Sequence, residues 1–255
     1  GMVSYLLVFF ILSCFSLSPY IKQGRVLKIP FLILCYFILF LFAGLREVGV
    51  GSDDFNYVNR FLEIPDISQW INGNYNYSYS SSFMEPLYVA YGSFIRLFTD
   101  DYVFLFMGVA FLSISFAVQN YYRYSHYVFL TLLLFFVHTY LYRDINQIRS
   151  AVAAAIGLFL IAQIHNRQHV KVWCTLFLAG MFHMASVVLC FAYLLSFFNV
   201  TRRRVIAAYC LSLLLGVIGV SQLVFQLIPG GGVLAGKLYN YTENSNYLNA
   251  VSLFD

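Results

Sequence analysis

Residues 29–45 read IPFLILCYFILFLFAGL, an uncharged run from Ile29 to Leu45 that ends against Arg46-Glu47. Its length matches the roughly 17–25 residues that a bilayer-crossing helix needs. Working outward, further apolar runs cover Met2–Ser18, Val103–Asn120, Tyr127–Tyr142, Ile148–Ile164, Val172–Phe198 and Val205–Leu227. The Tyr127 and Ile148 runs stand at the short end of that range. Leu87–Phe98 contains Gly92 and Arg96 and is too short for an untilted span, so it reads as re-entrant or interfacial. The composition is 61% hydrophobic and only 10% charged, with a mean hydropathy of +0.75, too apolar for a soluble chain of this length. The expected fold is all-α: a polytopic integral membrane protein forming one helical membrane domain over 1–255. An external loop covers 46–85, and a polar tail covers 229–255 behind the Pro229-Gly230-Gly231-Gly232 break.

The same numbers exclude several classes. A net charge of +4 spread over loops does not point to nucleic acid. Cys14, Cys35, Cys174, Cys190 and Cys210 all lie in apolar runs without C-x-x-C spacing, so they read as packing residues and not as disulfides or metal ligands. No zinc, nucleotide or serine-hydrolase signature is present, and no cofactor is expected. Met2–Ser18 lacks a basic leader and a small-residue cleavage site and reads as the first membrane helix.

Basic loops set the orientation. Lys22, Arg25 and Lys28 fill the first, His165 to Lys171 another, and Arg202, Arg203 and Arg204 a third. All three belong in the cytoplasm by the positive-inside rule, which puts the acidic 46–85 loop outside. The second and third share a face only if Val172–Phe198 folds back near Gly180–His183. Arg143 to Arg149 joins Arg46 outside only if Leu87–Phe98 also fails to cross.

Arg46, Arg143 and Arg149 each flank a long apolar run. An arginine at a membrane helix centre costs about 2.5–3.5 kcal/mol on insertion scales, and its planar fork of donors matches phosphate oxygens. The three therefore suggest an external site for an anion. Glycines at 49 and 51 permit close backbone approach just before Asp53 and Asp54, and Phe55, Val58, Asn59 and Leu62 follow at helical spacing. Asn72–Ser82 is a run of Asn, Tyr and Ser, either a sugar-stacking surface or an interfacial loop. Asp144 is placed to cap the next helix with Gln147 three residues on, which puts Arg149 in its second turn near the positive end of the helix dipole. In the alternative, Arg143 pairs with Asp144 and Arg149 snorkels to headgroups. His183 lies within an apolar run and serves either as a buried structural histidine or as a base.

The string Leu45-Arg46-Glu47-Val48-Gly49-Val50-Gly51-Ser52-Asp53-Asp54-Phe55-Asn56-Tyr57 resembles the L-R-x-x-x-x-G-x-D-x-x-x-Y pattern of the EpsG-like, Wzy-type polysaccharide polymerases of bacteria. Glu85-Pro86-Leu87-Tyr88 is similar to that family's E-P-x-Y segment. Asn146-Gln147-Ile148-Arg149 resembles its x-Q-x-R segment, and Phe182-His183-Met184-Ala185-Ser186 its F-H-x-S-A segment with the last two positions transposed. These matches run in family order over about 45–186. The chain stops short of the further helices usual in the family, which reads as a missing C-terminal part.

The resemblance implies a metal-independent glycosyltransferase of the bacterial inner membrane. It would join undecaprenyl-pyrophosphate-linked oligosaccharide repeats into O-antigen or exopolysaccharide on the periplasmic face. Its partners would be that lipid-linked substrate, membrane lipid and a chain-length regulator protein. The matched segments put Arg46, Arg149, Tyr57 and Gln147 at the substrate, where Arg143 joins them from its place beside an apolar run, and Asp53, His183 or Glu85 at catalysis, with Asp53 preferred as the base. Competing readings are a lipid-linked oligosaccharide flippase, a membrane O-acyltransferase acting on glycans with His183 as base, and a scaffold in which Arg–Asp pairs only fix packing.

Overall fold

The computed structural model describes residues 2–18, 25–72, 84–198 and 201–218. Lys22, nearly all of the Asn72–Ser82 run and the 229–255 tail lie outside the described residues. The chain divides into two units, Gly1–Ser196 and Phe197–Asp255. In the first, α1 (Met2–Leu17), α2 (Arg25–Gly44), α3 (Asp54–Glu63), α4 (Ile67–Ile71), α5 (Pro86–Arg96) and α6 (Tyr102–Tyr124) precede α7 (Val128–Phe135). One π-helical turn (Phe136–Tyr140) extends α7. Then follow α8 (Arg143–Asn146), α9 (Ile148–Gly157), α10 (Phe159–His165), α11 (His169–Phe182), a 3-10 turn (Met184–Val188) and α12 (Leu189–Leu195). The second unit contains α13 (Arg202–Ile218), with Arg202, Arg203 and Arg204 in its first turn. Among the described residues there is no strand.

Among the described residues, two helical stretches are long and apolar enough to cross a membrane: Tyr102–Tyr124, and Ile148–His165 taken through the turn at Leu158 that separates α9 from α10. α6 is the hub of the first unit, with α2 and α9 packed along it, while α1 lies on α7 and α11 on α9. One core joins Leu12 of α1, Leu39 of α2, Ile114 of α6 and Leu132 of α7. A second joins Phe61 of α3, Tyr88 and Val89 of α5, Phe106 of α6, Val152 of α9 and Ala179 of α11. The outside is apolar as well: Phe10, Phe111, Trp173 and Phe177 are all exposed. Where the surroundings are as apolar as the core, burial brings little hydrophobic gain, and close packing carries more of the stability.

The helical spacing seen over 55–62 does form a helix, α3. Asp54, Tyr57 and Phe61 are buried while Phe55 and Leu62 are exposed. Tyr57 and Phe61 fill the second core and Val58 packs against it, leaving Phe55 and Leu62 outward. α5 starts where Glu85 is N-cap and Pro86 occupies the first turn, where its missing N–H costs nothing. Tyr91 of α5 donates to the Gly108 carbonyl of α6 at 2.9 Å, tying the short helix beside the long one.

Two departures from regular helix shape the site. The capping box expected at Asp144–Gln147 does not form. The chain breaks at Gln147, which is itself the residue before α9, and no side chain caps that helix. Asp144 instead accepts from Ser113 Oγ, midway along α6, so Arg149 falls in the first turn of its helix and not the second. Further on, α11 ends at His183, whose backbone turns extended (φ −155°, ψ 111°). The chain folds back there, and α12 returns far enough for His169 Nδ1 to meet Tyr193 Oη at 2.7 Å. The two ends of 169–195 therefore lie together.

Candidate functional site

Arg46 follows the last turn of α2 and is drawn inward. Its Nη2 reaches Asp54 Oδ1 at 2.9 Å, Nε faces both Asp54 oxygens at 3.3 and 3.4 Å, and Nη1 donates to the Ala43 carbonyl at 2.6 Å. The guanidinium stacks 3.9 Å above the Phe106 ring. Gly51 N–H donates to the second Asp54 oxygen at 2.7 Å. The carboxylate partner of Arg46 is thus Asp54, not its neighbour. Asp53 sits half-buried just before α3, and its side chain makes no capping hydrogen bond.

Both glycines of this turn are required. Gly49 has φ +100°, which L side chains rarely adopt, and a Cβ on Gly51 would stand 2.2 Å from the Ile145 carbonyl oxygen. Ser52 N–H donates to Asn146 Oδ1 at 2.9 Å. The 46–54 turn is thereby clipped onto the break between α8 and α9, so Arg46, Arg143 and Arg149 all lie at one end of the bundle.

Glu85 is the centre of the second assembly. Its carboxylate is 1% exposed and takes an ion pair from Arg149 Nη1 on one oxygen. The other oxygen accepts from Met184 N–H at 3.1 Å and lies 3.4 Å from His183 Nδ1, close enough for an ion pair but poorly aligned for a hydrogen bond. Burial alone would raise the Glu85 carboxyl. His183, the Arg149 charge and the Met184 N–H overcome it, and the group is held down at about 2. Arg149 lies 5.7 Å from the Tyr57 ring centre and 5.9 Å from that of Tyr88, and its Nε is buried without a hydrogen-bond partner. Burial pushes the Tyr57 phenol up, with Arg149 opposing and Asp53 adding to the rise.

Arg143 stands between two cavities. One, of about 360 Å³, is also lined by Asp144, Tyr121, His138 and Thr139. The other, of about 530 Å³, runs from Arg143, Ser150 and His183 into an apolar sleeve. Arg143 Nη1 donates to Ser150 Oγ at 3.3 Å, and Arg143 and Asp144 take different hydrogen-bond partners. Gln147 Nε2 donates to Tyr142 Oη at 3.2 Å on the exposed side of the break.

Of the residues expected from sequence, Arg149, Glu85, His183 and Tyr57 converge. Arg143 borders the neighbouring cavities, Asp53 lies in electrostatic reach of Tyr57, and Arg46 is closed into its own pair. Sequence reasoning missed Tyr88, Ser186 and the structural part played by Asp54. For Asp54 a signal existed: with Tyr57 and Phe61 it forms a stripe at helical spacing that ends on the buried face. Among the described residues no group of three or more His, Cys, Asp and Glu could hold a metal ion.

The model of the EpsG family matches residues 28–254. The chain is 26% identical over 252 residues to the amylovoran biosynthesis protein AmsC of Erwinia amylovora, covering 94% of this chain and 64% of that protein. It thus spans about two thirds of the length of that curated relative. No solved structure matches.

Proposed function

The chain belongs to the EpsG family, and from that premise we propose that it is a polysaccharide polymerase of the bacterial inner membrane. It joins undecaprenyl-pyrophosphate-linked oligosaccharide repeats into exopolysaccharide or O-antigen on the periplasmic face. Likeness to a protein of amylovoran biosynthesis supports the polysaccharide assignment. The apolar exterior of the bundle supports the membrane, and the gathering of the arginine-bearing turns at one end supports a single working face. A chain-length regulator is the natural protein partner of such an activity.

The observation that carries the chemistry is the Glu85 carboxylate shared by Arg149, His183 and Met184 N–H. Held near pKa 2, Glu85 is a weak base and works by position. It fixes the Arg149 guanidinium and faces His183 Nδ1. His183 takes the proton of the acceptor sugar hydroxyl as that oxygen attacks the anomeric carbon of the growing chain. The bond from that carbon to the pyrophosphate breaks, and the departing charge falls to Arg149 and Arg143. Donors already in place stabilise developing charge without reorganisation. The preference for Asp53 as base is here reversed, because only His183 has a carboxylate behind it. Metal independence is part of the proposal.

Purified protein with lipid-linked repeat units tests this, read as a ladder of products. His183→Gln cuts turnover by about 10²–10⁴-fold, the usual worth of general-base help, and leaves donor binding intact. Asp53→Asn stays near wild type. The reverse result moves the base to Asp53, and the absence of any ladder with wild-type protein overturns the polymerase reading.

A further inference from the structure

We infer that the 530 Å³ cavity beside Arg143 is a sheath for the first three or four isoprene units of the lipid carrier, so that the protein reads carrier chain length only next to the pyrophosphate. The inference rests on the polymerase reading and goes beyond it by giving the lipid a place and a length limit.

The cavity has two chemically distinct ends. At one stand Arg143, Ser150, His183 and Ser186. Ser186 is 8% exposed, and its Oγ is buried without a hydrogen-bond partner. A buried hydroxyl left unpaired is costly, and a phosphate oxygen or its bound water would recover that cost. At the other end the walls are Leu160, Ile164 and Leu189, and the rim is formed by Ile161 and Val188, which are 65% and 60% exposed. Because Ile161 of α10 and Val188 of the returning arm both line the cavity and are exposed, it communicates with the apolar outside between those two elements. A sugar or a charged peptide leaving there would meet an apolar surface, whereas a hydrocarbon chain passes into lipid without loss. The occupant that fits both ends is an anionic head on a prenyl tail.

Size sets the limit. A water molecule takes about 30 Å³ in the liquid, and with a similar share per carbon a five-carbon isoprene unit fills about 150 Å³. The cavity of about 530 Å³ therefore holds about three to four units on that share. Later units lie in the membrane, where lipid is as apolar as any protein wall and adds no binding energy.

The test uses the full chain in detergent micelles with three probes: geranyl, geranylgeranyl and undecaprenyl pyrophosphate, of two, four and eleven units. Affinity should rise about tenfold from geranyl to geranylgeranyl and change less than about twofold from there to undecaprenyl. Ala192 lines the sleeve and is itself exposed, so Ala192→Phe narrows the sheath without entering the core. That variant should lose about tenfold in affinity for the two longer probes and none for geranyl. Binding that ignores length, or that keeps climbing to undecaprenyl, overturns the sheath and leaves the polymerase reading standing. Failure of all three probes to bind wild-type protein overturns both. An unchanged series with a loss of thermal stability in Ala192→Phe would give the cavity to another protein segment and overturn the sheath alone.

Discussion

The molecule holds two buried arginine–carboxylate pairs at the same end of the bundle, and they differ in what is left over. In Arg46–Asp54 both partners are almost fully buried, each guanidinium nitrogen is engaged, and an aromatic ring covers the cation. In Arg149–Glu85 the carboxylate is buried, but the arginine side chain is 20% exposed and its Nε has no partner. The first pair uses its charge to hold a turn against the bundle. The second keeps charge in reserve beside a histidine and two tyrosines. Arginines that look alike beside apolar helices thus separate into a fastening and a working group, according to how many of their donors the fold consumes.

The comparison breaks most visibly in stability. Asp54→Ala leaves Arg46 buried without its counter-charge, which typically costs about 3–5 kcal/mol, and should show as a large fall in unfolding temperature or loss of folded protein. The double variant Arg46→Met with Asp54→Leu should recover most of that loss, since buried pairs can be replaced by apolar groups. An Asp54→Ala protein as stable as wild type would remove the distinction.

Acid sharpens it next. The Glu85 carboxyl is depressed from 4.5 to about 2, so the folded state binds that proton less readily than the unfolded one. Its contribution, roughly 3 kcal/mol at about 1.36 kcal/mol per unit, is whole above about pH 4.5. It is lost as pH falls through about 2. The stability gap between wild type and Glu85→Gln, followed by chemical denaturation, should therefore shrink from pH 5 to pH 2. A gap that widens contradicts the pairing.

The smallest effect concerns turnover alone. Arg149→Lys keeps the charge but loses the planar fork, and removal of one preorganised donor costs about 10²-fold at the low end of such effects. Unfolding should move little, because the ammonium of a lysine at that position can still pair with Glu85. Equal losses of stability and turnover would make Arg149 a second fastening.

Much of this was legible in the sequence. Uncharged runs located α2 and α6, because hydrophobic length alone sets such elements. The arginines beside them stand at the end of the bundle where the proposed site lies. What was not legible depended on partners distant in sequence. Asp54 and Asp53 are chemically equal in the chain, and only the fold shows that Asp54 takes Arg46, with Gly51 N–H on its other oxygen. Asp144 looked like a helix cap, but a serine 31 residues earlier competes for it and wins. The helical spacing of 55–62 did not say which stripe of α3 is buried; contact with α5 and α6 decides that.

The fold-back at His183 also carries a consequence for counting. A membrane registers passages by parity, and a segment that returns to where it started adds an even number or none. The end of α12 therefore returns beside His169, on the side from which α11 set out, whether the 169–195 arms pass through a bilayer or turn within it. Lengthening or shortening both arms together leaves that return intact; only straightening the bend at His183 would undo it.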